Sequence, residues 1–144
     1  MEKKIIVYTD GGSRGNPGPA AAGVFIHTLQ KGYGEFLGTK TNNEAEYAAI
    51  VLALKKIKAL AGKAAAKQTI VECRMDSELC CKQLNHVYKI ENEKLQPLFL
   101  EVWNLMLDFA EVIFVHVPRE QNKEADALAN KAMDQAAQSQ QALW

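Results

Sequence analysis

Residues 5–19, Ile5-Ile6-Val7-Tyr8-Thr9-Asp10-Gly11-Gly12-Ser13-Arg14-Gly15-Asn16-Pro17-Gly18-Pro19, constrain what this chain can fold into more than any other stretch. The unbroken β-branched run at their start reads as a buried central strand. It leads to a carboxylate, Asp10, at the end of the strand, where open sheets gather their chemistry. Gly11, Gly12, Gly15 and Gly18 permit close backbone approach and positive φ, and Asn16-Pro17-Gly18-Pro19 forces a reversal. A second strand follows over residues 20–29, so the turn closes a hairpin and does not open a phosphate-cradling helix. Taken alone, an Asp beside Gly-Gly fits ordinary turn chemistry as well as it fits a functional acid.

The rest of the chain builds on that hairpin. Residues 32–38 read as a third strand, paired through a turn near Gln30-Lys31-Gly32 to make an antiparallel meander. Thr41-Asn42-Asn43-Glu44 opens a helix, capped by Thr41 or Asn42, that runs to about residue 61. Positions 46, 50, 53, 57 and 60 share one stripe of it, which puts Glu46 in line with Ile50, Ala53, Ile57 and Leu60. That carboxylate either complements the helix dipole at the end of the stripe or enters the core with a partner or a metal, because an unpaired buried charge is costly.

Residues 69–75 alternate as a strand that leads into Asp76. Ser77-Glu78 starts a helix with Leu79, Leu84 and Val87 as apolar positions. Residues 94–110 make another, whose wide stripe of Leu98, Val102, Leu105 and Phe109, beside Phe99, Trp103 and Met106, reads as core. Lys82, His86 and Lys89 in the connecting region face solvent in this reading. Residues 111–118 form the last strand, ended by proline, with His116 as a satisfied strand histidine. The final helix begins at about Asn122, turns Ala125, Leu128, Ala129, Ala132, Met133 and Ala136 toward the sheet, and holds Asp126 in its first turn. Residues 1–137 are then one domain and residues 138–144 a flexible tail.

Composition narrows the function classes. Lys plus Arg and Asp plus Glu both count 17, so attraction to a polyanion must come from local arrangement or bound metal. No run of about 18 apolar residues could span a membrane, and the N-terminus lacks a secretory pattern, so a cytoplasmic location with no membrane association is expected. Cys73, Cys80 and Cys81 are odd in number and include adjacent residues, which fits packed, reduced thiols.

An acid therefore stands at each of four element ends: Asp10, Glu46, Asp76 and Asp126. Hard oxygen ligands of this kind suit Mg²⁺ or Mn²⁺, and a carboxylate cluster able to hold two such ions about 3.5 to 4 Å apart serves in-line phosphodiester chemistry. Residues 8–19, Thr41-Asn42-Asn43-Glu44-Ala45-Glu46, Met75-Asp76-Ser77-Glu78 and Asn122-Lys123-Glu124-Ala125-Asp126-Ala127-Leu128-Ala129 resemble, in order and spacing, the four motifs of ribonuclease HI. The resemblance implies an α/β ribonuclease H-like fold, with a five-stranded mixed sheet of three antiparallel then two parallel strands and helices on both faces. It implies sequence-independent, metal-dependent endonucleolytic hydrolysis of the RNA strand of an RNA/DNA hybrid by a two-ion mechanism, giving 5′-phosphate and 3′-hydroxyl ends. Asp10, Glu46, Asp76 and Asp126 are implied as the acids that bind Mg²⁺, with Mn²⁺ as substitute. Gly11, Gly12, Ser13, Asn16, Thr41, Asn42, Asn43 and Glu78 are implied around the hybrid, on a monomer with no obligate protein partner.

Two departures from the family pattern stand out. Many members carry a histidine in the loop before the last helix, where this chain has Pro118-Arg119-Glu120-Gln121-Asn122. Arg119 cannot act as a base near neutral pH, so its expected role is electrostatic, as in the archaeal-type branch that lacks the histidine. The segment from 77 to 95 also lacks the dense basic and aromatic handle of some relatives. Competing readings are an integrase-like or junction-resolving nuclease of the same fold, and a hybrid-binding module without catalysis.

Overall fold

The structure, a computed structural model, describes residues 3–142. Three antiparallel strands, β1 (Lys3–Ser13), β2 (Gly18–Ile26) and β3 (Lys31–Lys40), are followed by α1 (Asn42–Ala61) and a short α2 (Lys63–Ala66). Then come β4 (Thr69–Met75), α3 (Glu78–Leu84), α4 (Gln96–Met106), β5 (Glu111–His116) and α5 (Lys123–Ala142). The sheet order is β3-β2-β1-β4-β5, with β4 parallel to β1 and β5 parallel to β4, so β1 is the central strand. Its β-branched run has the composition a strand buried between neighbours needs.

Strand alternation sorts the two faces. Ile5 and Val7 of β1, Val24 and Ile26 of β2, and Val71, Cys73 and Met75 of β4 turn to one face, where they pack with Ile50, Leu54 and Ile57 of α1 and Val102 of α4. On the other face α5 lies over β2 and β3, where Ala21, Ala129, Ala132 and Met133 form a small cluster of their own. The side chains are short there because the backbones are close. A Cβ at Gly23 would stand 2.0 Å from the Ala125 carbonyl oxygen, and one at Gly34 would stand 2.6 Å from that of Leu128.

Several boundaries and faces differ from the sequence reading. The second strand stops at Ile26, because His27–Leu29 form a single 3-10 turn closed by Gln30 in the left-handed region (φ 53°), and β3 starts at once and runs on to Lys40. Thr41 is the α1 cap: its hydroxyl accepts the Glu44 amide at 3.2 Å while its own amide donates to the Glu44 carboxylate at 3.0 Å. Leu60, at the end of the Glu46 stripe, is exposed, as are Leu79, Val87 and Trp103. The inward face of α3 is instead Cys80, Cys81 and Leu84. α4 is shorter than the 94–110 reading, since it starts beside Pro97 and ends at Met106; Leu95 and Phe109 reach the core from outside it. His116 is an exposed residue at the end of β5, and α5 continues through Ala142, past the boundary drawn at residue 137.

Candidate active site

Sequence-distant acids meet at one end of the central strand. The parallel register sets Thr9 opposite Met75, so Asp10 and Asp76 leave adjacent strands side by side. Glu46 arrives on the second turn of α1, and Gly11 is what lets it come close: a Cβ there would meet the Ala45 carbonyl carbon and oxygen at 2.1 Å and the Glu46 nitrogen at 2.5 Å. One carboxylate oxygen from each of Asp10, Glu46 and Asp76 lies within 4.8 Å of the others. Asp126, on the first turn of α5, hydrogen-bonds with Asp10 but stands outside that group of three. All four acids line one open cleft of about 430 Å³, with Gly11, Gly12, Asn42, Asn43, Ser77 and Arg119.

Crowding of like charge in a half-closed place shows in the protonation of the acids. Burial, then the charge of Asp76, then the bond to Asp126 push the Asp10 carboxyl up to about 8. Glu46 is raised well above the ordinary carboxylate range by burial, then by Asp10 and Asp76, with the Gly11 amide opposing. Arg119 is the one cation among the lining residues. Four hard oxygen donors against one guanidinium make a donor set that fits Mg²⁺ or Mn²⁺ and no soft metal.

Comparison with known proteins matches this geometry. The family model described as reverse transcriptase-like matches residues 8–132. LC11-RNase H1, solved in complex with an RNA/DNA hybrid, superimposes with a TM-score of 0.86 at 40% identity, covering 92% of this chain and 99% of that one. The chain belongs to the ribonuclease H family. Ribonuclease HI of Halobacterium salinarum is 38% identical over 92% of this chain and 66% of its own length, and its crystal structure gives a TM-score of 0.83. The bifunctional protein Rv2228c of Mycobacterium tuberculosis is 36% identical over 94% of this chain, which spans only 37% of that protein's length.

Within this ribonuclease H site the predicted residues take different places. Gly11, Gly12, Asn42 and Asn43 line the cleft; Ser13, Asn16, Thr41 and Glu78 do not. Ser13 and Asn16 instead bind the glycine-rich turn to the start of α1. The Ser13 amide donates to Asn42 Oδ1 at 2.9 Å, and the Asn42 amide donates to Asn16 Oδ1 at 3.0 Å. Glu78 is exposed and pairs with Lys82 at 2.7 Å.

Two residues escaped the sequence reading of the site. Ser77 lines the cleft beside Asp76 while its hydroxyl caps α3 by accepting the Cys80 amide at 3.2 Å; its adjacency to the acid was the available signal. Asn122, which opens the fourth motif but was given no role there, is wholly buried and donates from Nδ2 to the Thr9 carbonyl at 2.8 Å. The cysteines take no part. All three are free and buried, and burial pushes the Cys73 thiol up to about 12.

Proposed function

We propose that this chain is an endonuclease that hydrolyses the RNA strand of RNA/DNA hybrids, independently of sequence, leaving 5′-phosphate and 3′-hydroxyl ends. The observation that carries the reading is the convergence of Asp10, Glu46 and Asp76 within 4.8 Å, at the floor of a cleft whose rim offers amide groups. The hybrid bound to LC11-RNase H1, 40% identical to this chain, supports the substrate class.

Asp10, Glu46 and Asp76 would hold a divalent cation, with Asp126 placed to complete a second site. When bound, such ions supply an activated water and neutralise charge that builds on the phosphate. Mg²⁺ is the proposed ion, with Mn²⁺ as substitute. Asp10 and Glu46 must surrender their protons to act as ligands, and a cation in the cleft would offset the burial and the like-charge repulsion that hold those protons in place. Arg119, permanently charged, steadies the scissile phosphate or the leaving oxygen as charge develops.

Asn42, Asn43 and the amides of Gly11 and Gly12 meet sugar and phosphate without reading bases, and close backbone approach serves recognition of the 2′-hydroxyl. Ser13, Asn16 and Thr41 shape that rim, and Glu78 flanks it. The protein acts in this proposal as a cytoplasmic monomer needing no protein partner. Among the described residues no helix is long and apolar enough to cross a membrane.

The test is digestion of end-labelled RNA/DNA hybrid, double-stranded RNA and double-stranded DNA in Mg²⁺, in Mn²⁺ and in EDTA, with the product ends determined. Internal cuts confined to the RNA strand of the hybrid and abolished by EDTA are expected. Nicking of DNA, or binding without cleavage, would overturn the proposal.

A further inference from the structure

We infer that Asn122 is a positioning residue for the catalytic centre, anchoring the segment that carries both Arg119 and Asp126 to the end of β1 that carries Asp10. The inference rests on the nuclease reading of the cleft.

Three hydrogen bonds leave this residue, each toward a residue of the cleft or its immediate neighbour. Its amide donates to the Arg119 carbonyl at 2.9 Å, and its carbonyl accepts the Asp126 amide at 3.1 Å. Its side chain donates from Nδ2 to the carbonyl of Thr9, the residue before Asp10, at 2.8 Å. A carbonyl can only accept, so the nitrogen of the side-chain amide must be the atom that faces Thr9. The two backbone bonds make residues 119–126 one piece, and the side-chain bond ties that piece to the strand through neutral groups that need no proton shared between acids.

The surroundings explain why such an anchor is needed. Ala129, Ala132 and Met133 of α5 pack on Ala21 of β2, a contact of small or flexible apolar side chains. Apolar contact is non-directional and does not by itself set the exact seat of a helix, whereas a buried hydrogen bond fixes both distance and angle. The anchor also has a cost. Asn122 is fully buried, and among the described residues its Oδ1 has no hydrogen-bond partner. An apolar side chain of the same volume would avoid that unsatisfied oxygen but would take the donor from the Thr9 carbonyl, so the asparagine is there for the bond it makes to β1.

The test compares Asn122→Ala and Asn122→Leu, the second filling the volume in case the first does not fold, with Val102→Ala, which opens the core far from the cleft. Thermal melts in EDTA and in Mg²⁺ are measured for these, for Asp126→Asn and for the combined variants, together with kcat and KM on the hybrid. At a temperature where each is folded, the Asn122 variants should lose about 100-fold in kcat, the order expected for an ångström-scale misplacement. KM should stay near the parental value, and Val102→Ala should keep the parental kcat. In an Asp126→Asn background the Asn122 loss should shrink, and the Mg²⁺-induced rise in Tm of Asn122→Leu should fall to that of Asp126→Asn.

Asn122 variants with parental kcat and a parental Mg²⁺ shift, or a kcat loss of the same size in both backgrounds, would overturn the inference. A parent that fails to cut hybrid would overturn the proposed function alone, since the melting comparison still reads the anchor.

Discussion

Gly23→Ala adds one carbon atom, and the structure says how much that carbon displaces. Asp10, Gly23 and Gly34 are directly opposed across β1, β2 and β3, so they form one row on the face beneath α5. An alanine Cβ at 23 would stand 2.0 Å from the Ala125 oxygen and 2.8 Å from the Ala129 nitrogen, both backbone atoms that cannot swing away. Even a tight contact requires α5 to retreat by about 1 Å, and overpacking of this kind costs about 1–3 kcal/mol. For a domain of this size that is a fall in Tm of about 3–10 °C.

Asp126 follows Ala125 directly and must travel with the helix, so kcat on the hybrid should drop about 100-fold. KM should change little, since Asn42 and Asn43 are carried by α1 and not by the displaced helix. Melting curves and initial rates measured side by side test this, with Gly12→Ala as the stability control, because a Cβ there meets nothing within 4 Å. If Gly23→Ala melts with the parent and turns over at the parental rate, α5 does not sit on β2 at backbone contact and the reasoning fails.

Asp76→Asn keeps the shape of the acid cluster but removes the charge that helps raise Asp10 and Glu46. It should abolish most cleavage while melting in EDTA at or above the parental temperature, and Mg²⁺ should raise its Tm less than the parent's; strong destabilisation in EDTA would contradict this. Arg119→Ala should lower kcat much more than it raises KM, and a change confined to KM would make Arg119 a binding contact only. Glu72 pairs with Lys4 at 2.9 Å and Arg74 at 2.6 Å, and those partners hold its carboxyl below the usual range. The pair's contribution is present above the ordinary carboxyl pKa and is lost as the pH falls through the depressed one. Glu72→Gln should therefore cost about 1 kcal/mol near neutrality and converge with the parent once the pH has fallen through that depressed value, as thermal melts across pH would show.

The acids were legible in sequence because each stands beside a strong local pattern, although β1 runs past Asp10 to Ser13 and so does not end at the acid. Asp10 follows a β-branched run, Asp76 follows an alternating strand, and Glu46 breaks an apolar helical stripe. The antiparallel meander followed from the hairpin at residues 14–17 and the turn near residue 30, whereas the parallel pairing of the last two strands came from the resemblance to ribonuclease HI and not from any local pattern. Periodicity gives the inward side of a helix but not where the sheet beneath it stops, and so Leu60, Leu79, Val87 and Trp103 were placed inside when they are exposed. Conversely, Phe109 is buried although α4 ends at Met106, because the loop after the helix folds back on the core. Asn42 and Asn16 read as free amides for a substrate, and only the folded chain shows them engaged with the glycine-rich turn. The burial of Asn122 and its bond to Thr9 were not legible for a related reason. A polar residue before a helix has the same local signature whether it caps in solvent or is sealed beneath the helix.

The contrast between the two faces of the sheet has a consequence for how the protein fails on warming. Asp10, Glu46 and Asp76 belong to the body that shares the large apolar core, whereas Asp126 rides on a helix held by four small or flexible apolar residues and close backbone contact. Cooperative units with little buried apolar area open first. Release of α5 would remove Asp126 and leave the other three acids in their grouping. Amide protons along α5 should then exchange with solvent ahead of those in β1 and α1, and heat inactivation should precede loss of the bulk secondary structure and reverse on cooling.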